Sequence, residues 1–421
     1  MAQSLAAACL LMACSAGAPV STVSPNPAGE SWTMYRGDLV RDGRPPGATL
    51  DEQAASRLRS AWRAHVGGAV DGTPAVTGGL VIAGSAGGTL VALDSRSGRT
   101  VWSRRGLGAI SGSASAEGAR VFVGTLTGFV HAFRTSDGSP AWVWRGPPNA
   151  AIWASPVVHG GLVIVGVASP YGDKPLVPGR LYGLDEATGQ ERWSTCIRAA
   201  CAPGGGVWST PAIDAQGNAF VGVGNPDDGV LAFDPATGKQ RWLVSLYPDD
   251  DRDLDVGASP VIFQLAGHEV VAQAAVEGLM AVVDASNGSI VWSRELVKGT
   301  AVHGLLASPA YDGRAVYVAS ASPPTGLVAL SAADGSELWR HDTQLPVYSA
   351  PAVGNGLVIF GTGAVFGDVR SGSLIALSTR DGRALWSVDL PSAVRSGPAI
   401  AGDLVVAGDA GGDVIAFRPS G

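Results

Sequence analysis

The sequence predicts an all-β protein, an eight-bladed β-propeller of four-stranded antiparallel blades whose ring is closed by the N-terminal strand. Three observations predict this fold. A glycine stands four residues before a tryptophan seven times, and successive tryptophans lie 40 to 51 residues apart. An eighth tryptophan, Trp62, lacks such a glycine, whereas the last repeat, 396–417, ends before its tryptophan strand. A period of this length is typical of a four-stranded blade.

The repeat unit is clearest between Val207 and Trp242. Short apolar runs alternate there with Gly, Asp and Asn, as in strands joined by tight turns. A turn glycine adopts the positive φ that other residues adopt only at a cost, and the fixed offset places every tryptophan at the same point of the last strand. We expect these rings to pack between neighbouring blades. The pairs are Gly98 and Trp102, Gly138 and Trp142, Gly189 and Trp193, Gly238 and Trp242, Gly288 and Trp292, Gly335 and Trp339, and Gly382 and Trp386.

The two ends of the repeat array complement each other. The segment around Trp62 reads as a strand, and the last repeat lacks one. Pairing them gives eight blades and leaves no open sheet edge in the ring. We therefore expect residues 31–421 to form one domain, although the length alone would suggest two or three.

Composition excludes several classes of protein. Hydrophobic residues make up 46%, charged residues 15%, and there are 59 glycines, which is a turn-rich globular composition rather than a disordered one. The net charge of −7 argues against a nucleic-acid partner, which would need a basic face. No apolar run is long enough for a transmembrane helix.

The N-terminus predicts export. Residues 1–13 are small and apolar and precede Cys14, an arrangement that resembles a bacterial lipoprotein signal peptide with its lipidated cysteine. Residues 14–30 are rich in Ser, Pro, Ala and Gly and read as a flexible tether. We expect a protein of the cell envelope, periplasmic or extracellular, lipid-anchored at Cys14. An uncleaved start is the alternative, because no Lys or Arg precedes the apolar stretch.

Two cysteines, Cys196 and Cys201, remain beyond this leader. In an exported protein a pair this close is expected to be oxidised, and a local staple for a long loop is the simplest role for it. Metal binding has less support because no second Cys or His pair stands at ligand spacing.

The four long insertions fall on one face of the predicted ring. If strands A to D run outward, the B–C and D–A connections lie on the face opposite the A–B and C–D turns. Residues 166–180, 194–207, 243–257 and 363–373 are all B–C or D–A connections, whereas the C–D turns are uniformly short. Loops on a rigid scaffold commonly build binding sites, so this rim is the expected functional face.

The rim carries no motif of a hydrolase, a phosphate loop or a zinc enzyme. It carries Trp208, then Asn225 after a strand, then an acidic run. Carboxylate and amide oxygens suit a hard cation such as Ca²⁺, although a solvated acidic loop is the simpler alternative. The acidic run contains Asp249, Asp250, Asp251, Asp253 and Asp255.

These residues resemble a known family, the propeller domains of pyrroloquinoline quinone (PQQ) dependent alcohol and polyvinyl alcohol dehydrogenases. The repeat x-D-x-x-T-G-x-x-x-W is similar to theirs over about residues 60–421, and WTMYRGDLVRDG at 32–43 resembles the segment that often precedes it. The resemblance implies the propeller fold and, with it, a quinone site on the rim.

The resemblance also implies roles for individual residues. GGGVW places the tryptophan on which the quinone stacks at Trp208, and GVGN places a metal-ligating amide at Asn225. RDLDVGASP matches the catalytic, metal-binding aspartate at Asp253 and an additional metal-binding carboxylate at Asp255. Such a site would bind PQQ and Ca²⁺ and oxidise an alcohol by passing hydride to the quinone while Asp253 accepts a proton.

Three departures count against a working quinone site. The position of the family's quinone-binding Lys or Arg holds Val276 and Glu277, the adjacent cysteine pair is absent, and the metal-binding Glu has only Asp173 near its place. The chain also resembles shorter lipid-anchored propellers of the same repeat type, the outer-membrane assembly lipoproteins, which bind protein partners without a cofactor.

Together these features predict a monomeric binding or scaffold lipoprotein with a degenerate quinone site. Its partner is expected to be an envelope protein or a small alcohol-type ligand on the long-loop face. A PQQ- and metal-dependent dehydrogenase is the alternative.

Overall fold

The computed structural model describes residues 31–45, 47, 49–249, 252–365 and 367–421. The described residues form eight four-stranded antiparallel sheets. Their inner strands contact one another around the ring, and the first inner strand also contacts the last. The predicted eight-bladed propeller is confirmed. The leader 1–13, Cys14 and the tether to residue 30 lie outside the described residues.

The chain enters the ring through helix α1 (Glu52–Ala55) and strand β1 (Leu58–His65). Blade 1 follows as β2 (Ala75–Thr77), β3 (Leu80–Gly84), β4 (Leu90–Asp94) and β5 (Thr100–Arg104). Blade 2 is β6 (Ser115–Glu117), β7 (Arg120–Gly124), β8 (Phe129–Arg134) and β9 (Pro140–Arg145). Blade 3 is β10 (Val157–His159), β11 (Leu162–Val167), β12 (Arg180–Asp185) and β13 (Glu191–Cys196), followed by a 3-10 helix (Ala199–Cys201).

The remaining blades repeat the same order. Blade 4 is β14 (Ala212–Ile213), β15 (Ala219–Val223), β16 (Gly229–Phe233) and β17 (Gln240–Ser245). Blade 5 is β18 (Val261–Leu265), β19 (His268–Ala274), β20 (Leu279–Asp284) and β21 (Ile290–Glu295). Blade 6 is β22 (Ala310–Tyr311), β23 (Ala315–Ser320), β24 (Gly326–Ser331) and β25 (Glu337–Asp342). Blade 7 is β26 (Ala352–Val353), β27 (Leu357–Thr362), β28 (Gly372–Ser378) and β29 (Ala384–Leu390). Blade 8 is β30 (Ala399–Ala401), β31 (Leu404–Gly408) and β32 (Asp413–Pro419), completed by β1.

The core lies between the blades. Each blade is covered on both faces by its neighbours, so its middle strands are apolar without interruption, as in β15 and β16. Single hydrophobic clusters join adjacent blades; Ile82 of blade 1 packs in the same cluster as Val121 of blade 2. The outermost strands, such as β17, alternate between more and less exposed residues because they border solvent.

The repeated tryptophans dock onto the turn glycines of the next blade. A Cβ atom added to Gly138 would lie 2.6 Å from ring atoms of Trp102. The indole Nε1 of Trp102 donates a hydrogen bond of 2.8 Å to the carbonyl of Thr135, in the same turn. The turn glycine is thus required twice, for its φ of 66° and for the bare Cα on which the ring lies. The same ring contact joins Trp62 to Gly98, Trp142 to Gly189, Trp193 to Gly238, Trp242 to Gly288, Trp292 to Gly335 and Trp339 to Gly382.

The N-terminal strand closes the ring as expected. Strand β1 pairs antiparallel with β32, from Leu58 opposite Pro419 to His65 opposite Asp413. Trp62 of this strand then donates from Nε1 to the carbonyl of Ser95 in blade 1 at 3.0 Å. One strand therefore completes blade 8 and docks it onto blade 1.

The segment 32–44 crosses the channel at the ends of the inner strands. Its backbone carbonyls accept amide hydrogen bonds of 2.7 to 2.9 Å from the inner strands or from the residues that flank them in six blades. The donors are the amides of Val76, Ala116, Ile213, Ile262, Tyr311 and Val353. These residues lie toward the A–B turns, so the segment occupies the channel at the face opposite the long-loop rim.

Two arginines of this segment are fully buried, Arg36 and Arg41. The Arg36 guanidinium donates to the carbonyls of Pro309 and Pro351, and Arg41 Nε donates to the carbonyl of Pro211 at 3.0 Å. Burial lowers the pKa of Arg41 to about 10, so it stays charged at neutral pH. The two side chains link the segment to three blades through backbone carbonyls.

Two glycines of blade 1, Gly98 and Gly78, allow the cost of backbone strain to be measured separately from the cost of losing the tryptophan contact. We expect Gly98→Ala to destabilise the protein by about 3 kcal/mol or more, because it adds left-handed strain and displaces the Trp62 ring. Gly78→Ala is the control: its φ is also positive, at 53°, but an added Cβ meets nothing within 4 Å. It should cost about 1 kcal/mol from backbone strain alone. Urea denaturation measures both, and equal losses would mean that the ring contact contributes nothing.

Candidate functional site

Eight equivalent residues surround the open mouth of the channel. Each stands four residues before the first residue of an inner strand, and all of them line one cavity of about 160 Å³. In blade order they are Asp71, Ser111, Trp153, Trp208, Gly257, Leu306, Tyr348 and Arg395. They lie at the starts of the inner strands, where the D–A connections arrive, and so on the same rim as the long insertions.

A row of hydroxyl groups links the starts of the inner strands in neighbouring blades. The backbone amides of Ser113, Ser155, Thr210 and Ser259 each donate to the hydroxyl of the equivalent residue in the next blade, at 2.8 to 3.0 Å. Ser308 ends the row, and its hydroxyl accepts a 2.9 Å bond from the Tyr35 hydroxyl. These hydrogen bonds therefore fix the distances between the neighbouring inner strands where they begin at the mouth.

Glycines make room for Trp208. Its ring lies against Gly257, where an added Cβ would be 1.8 Å from the indole. The backbone amide of Gly205, three residues before Trp208, donates a hydrogen bond of 2.8 Å to the carbonyl of Asn225. This bond attaches the segment that leads to Trp208 to blade 4. The run of glycines thus reflects close backbone packing, and it delivers Trp208 to the cavity wall.

The four residues predicted from sequence lie in one hydrogen-bonded group. Asp255 accepts from Trp208 Nε1 at 3.1 Å with Oδ2 and from the amide of Asn225 at 2.8 Å with Oδ1. Asn225 Nδ2 donates to Asp253 Oδ1 at 3.1 Å. Residues far apart in sequence are therefore brought together on one side of the mouth.

Asp255 is the electrostatically unusual member of this group. Burial is the main cause that raises its pKa to about 6, and the charges of Asp253 and Asp173 raise it further. The amide of Asn225 and the indole of Trp208 oppose that shift by donating to the carboxylate. Asp253, by contrast, is exposed and has a left-handed φ of 55°.

A cluster of three or more His, Cys, Asp or Glu ligands is absent from the described part of the chain, residues 31–45, 47, 49–249, 252–365 and 367–421. Both oxygens of Asp255 already accept protein N–H groups, so that carboxylate stabilises the indole and the loop. Asp250 and Asp251 of the acidic run lie outside the described residues.

The position of the family's basic residue is occupied by an ion pair. Val276 is buried, and Glu277 lies 2.9 Å from the guanidinium of Arg252, measured between Oε2 and a terminal nitrogen. Glu277 is thus paired with a neighbour from the acidic loop, a contact that sequence reasoning did not anticipate.

The two cysteines form a disulfide, Cys196 to Cys201, which is the oxidised pair that the sequence analysis expected. It joins the end of β13 to the 3-10 helix that precedes the glycine run. The disulfide therefore closes a small loop within the connection from β13 to Trp208 and shortens the part of that connection that is unconstrained.

Of the eight residues of the mouth, sequence reasoning named only Trp208 as a site residue; the charged and aromatic ones that it missed are Asp71, Trp153, Tyr348 and Arg395. Asp71 Oδ1 and an Arg395 terminal nitrogen form an ion pair of 2.7 Å. Each of the four stands at the offset that Trp208 occupies in its own blade, so an alignment of the repeats on their inner strands would have found them.

Comparison with known proteins identifies the family. The family profile described as outer membrane protein assembly factor BamB, a PQQ-type repeat, matches residues 54–111, 104–307 and 277–421. The chain belongs to this PQQ-like propeller family.

Two curated relatives are polyvinylalcohol dehydrogenases. The Pseudomonas sp. protein is 25% identical over 250 residues, 46% of this chain and 39% of the relative. The Sphingopyxis sp. (strain 113P3) protein is 29% identical over 185 residues, 33% of this chain and 28% of the relative.

The matched regions thus span well under half the length of these curated relatives. Solved structures show the same fold at low identity. Quinohemoprotein alcohol dehydrogenase from Comamonas testosteroni matches with a TM-score of 0.80 and 17% identity, over 93% of this chain and 81% of that one. A europium-containing methanol dehydrogenase matches at 0.78 and 16%, over 92% and 98%. BamB from Moraxella catarrhalis matches at 0.66 and 18%, over 86% and 99%.

No helix among the described residues is long and apolar enough to cross a membrane.

The raised pKa of Asp255 makes a testable prediction in calcium-free buffer. Because its folded pKa, about 6, exceeds the unfolded value of about 3.9, its contribution to stability is full at low pH and is lost as pH rises through about 6. Asp253→Asn keeps an acceptor for Asn225 but removes a charge, so the pKa of Asp255 should fall. Carboxyl NMR titration measures this shift.

The control for this titration is Asp342→Asn in β25, on a different blade. It should leave the pKa of Asp255 unchanged. An unchanged pKa in Asp253→Asn as well would show that the charge of Asp253 does not contribute to the shift.

Proposed function

We propose that this protein is an extracytoplasmic binding propeller whose quinone site is degenerate. One observation carries the proposal: both oxygens of Asp255 accept bonds from Trp208 and Asn225, so this carboxylate has a structural role that needs no bound cation. The long-loop rim is then a surface for an envelope protein or a small ligand, and the protein acts as a monomer.

The residues of the mouth do not fit PQQ and Ca²⁺. The cavity of about 160 Å³ is smaller than the roughly 300–1,000 Å³ typical of pockets for drug-sized ligands. Glu277 replaces a basic residue, and a carboxylate there opposes a ligand with three carboxylates. The cysteines form a disulfide across five positions rather than an adjacent pair. No step of a quinone reaction is therefore assigned to this chain.

A second candidate, a PQQ-dependent alcohol dehydrogenase, is favoured by the connected group of four residues and by the likeness to polyvinylalcohol dehydrogenases. In that case Trp208 would carry the quinone ring, and Asp253 would accept the alcohol proton. Asn225, Asp253 and Asp255 would supply oxygen ligands to the metal.

A cofactor assay separates the two candidates. Incubation of the purified protein with micromolar PQQ and Ca²⁺ should give weak binding by absorption titration and no alcohol-dependent dye reduction. Glu277→Gln should strengthen PQQ binding about tenfold, because it removes a negative charge that repels the carboxylates of PQQ. Glu295→Gln, an exposed acid of the same blade, is the matched control and should change nothing.

Robust turnover of an alcohol by the unmodified protein, abolished by Asp253→Ala, would overturn the binding proposal. It would assign the chain to the dehydrogenases.

We also propose that the protein is held at the cell envelope by lipid on Cys14. The sequence ahead of Cys14 supports export, and acyl chains would be the attachment to the membrane. Cys14→Ser should move the protein from the membrane fraction to the soluble fraction after cell lysis. Unchanged partitioning, or a mature N-terminus elsewhere by mass spectrometry, would contradict lipidation.

A further inference from the structure

Three aromatic side chains of the blades line the cavity at the mouth beside Tyr35 of the segment 32–44, and two of the three, Trp153 and Tyr348, have no part in the proposed function. Trp153, Trp208 and Tyr348 come from blades 3, 4 and 7 and occupy equivalent positions. Each is half-buried. Because blades 3 and 7 lie opposite each other in an eight-bladed ring, aromatic surface borders the cavity on both sides.

The polar edge of each ring is already bonded to the protein. Trp153 Nε1 donates to the carbonyl of Ser169 at 2.9 Å, and the Tyr348 hydroxyl donates to the carbonyl of Val302 at 2.7 Å. Trp208 Nε1 is bonded to a carboxylate, as described above. These hydrogen bonds hold the rings in place. They also occupy the N–H and O–H groups that would otherwise donate to an acceptor on a ligand. At these three rings a ligand therefore meets aromatic carbon rather than N–H or O–H donors.

The charges around the mouth favour a cation. Among the described residues that line the cavity, the charged ones are Asp71 and Arg395, which neutralise each other at 2.7 Å. Beyond the Trp208 ring lie the carboxylates of Asp255 and Asp253, and a carboxylate that accepts from the indole N–H makes the ring richer in electrons. Aromatic faces carry negative potential of their own and attract cations.

The size of the cavity selects a small ligand. About 160 Å³ is below the range of pockets for drug-sized molecules, so a compact group fits better than a fused ring system. We propose that the channel mouth binds a small organic cation, a quaternary ammonium or protonated amine, held over the faces of Trp153, Trp208 and Tyr348. This inference rests on the proposed binding function and names the class of ligand for the same site.

Calorimetric titration of the full chain, without PQQ or Ca²⁺, tests the charge requirement. The probes are choline chloride, tetramethylammonium chloride, 3,3-dimethylbutan-1-ol and sodium benzoate at constant ionic strength. The alcohol has the shape of choline but no charge. We expect choline to bind at least about tenfold more tightly than the alcohol, and benzoate to bind no better than the alcohol, since cation–π attraction requires the positive charge.

Variants test which rings take part. Trp153→Leu and Tyr348→Leu should each weaken choline binding about tenfold, whereas Tyr348→Phe, which keeps the ring, should retain most of the affinity. Tyr171→Leu is the matched control, because Tyr171 is an exposed aromatic of the same rim outside the cavity. It should leave binding unchanged.

Equal binding of choline and its neutral isostere, preference for benzoate, or full affinity in both leucine variants would overturn the cation site. The same preparation is assayed for PQQ-dependent alcohol oxidation. An inactive protein that ignores choline would refute only this inference, whereas alcohol turnover would refute the proposed function.

Discussion

The contact between one tryptophan and one glycine underlies the whole ring. In each case described, the indole of an outer strand lies on a turn glycine of the next blade, and any side chain there would collide with it. In six of these contacts the indole N–H also reaches a carbonyl of that turn, at 2.8 to 3.2 Å. A propeller has no single core, so its stability is the sum of such interfaces between neighbours. Trp62 gives the closing blade the same interface as the others.

The segment 32–44 decides which end of the channel can act as a site. It bonds to six blades near the A–B turns and buries Arg36 and Arg41 among backbone carbonyls. Full burial of a guanidinium is costly unless its donors are satisfied, and these carbonyls satisfy most of them. The opposite end keeps its cavity, lined by one residue from each blade. The segment closes one end of the channel, and the long insertions surround the other end. Both features therefore indicate that the end with the long insertions is the functional face.

The site shows how residues of a cofactor-binding family can acquire a structural use. Asp255 holds Trp208 and the backbone of Asn225, and Glu277 is paired with Arg252. In each case a charged side chain of the site has a partner within the protein itself. The mouth also presents the rings of Trp153, Trp208 and Tyr348, on which we base the proposal of a small cation rather than a chelated metal.

The sequence by itself determined the repeat, the blade count, the closing strand and the rim on which the long loops lie, because turn glycines and tryptophans recur at a local, fixed offset. It also identified Trp208, Asn225, Asp253 and Asp255 as neighbours, through motifs. The tertiary structure alone decided what those residues bond to, since Asp255 meets Trp208 across 47 positions and Arg395 meets Asp71 across the ring closure. It likewise brought Trp153 and Tyr348 to one cavity. Contacts between blades depend on ring geometry, and no local pattern encodes which side chains that geometry places face to face.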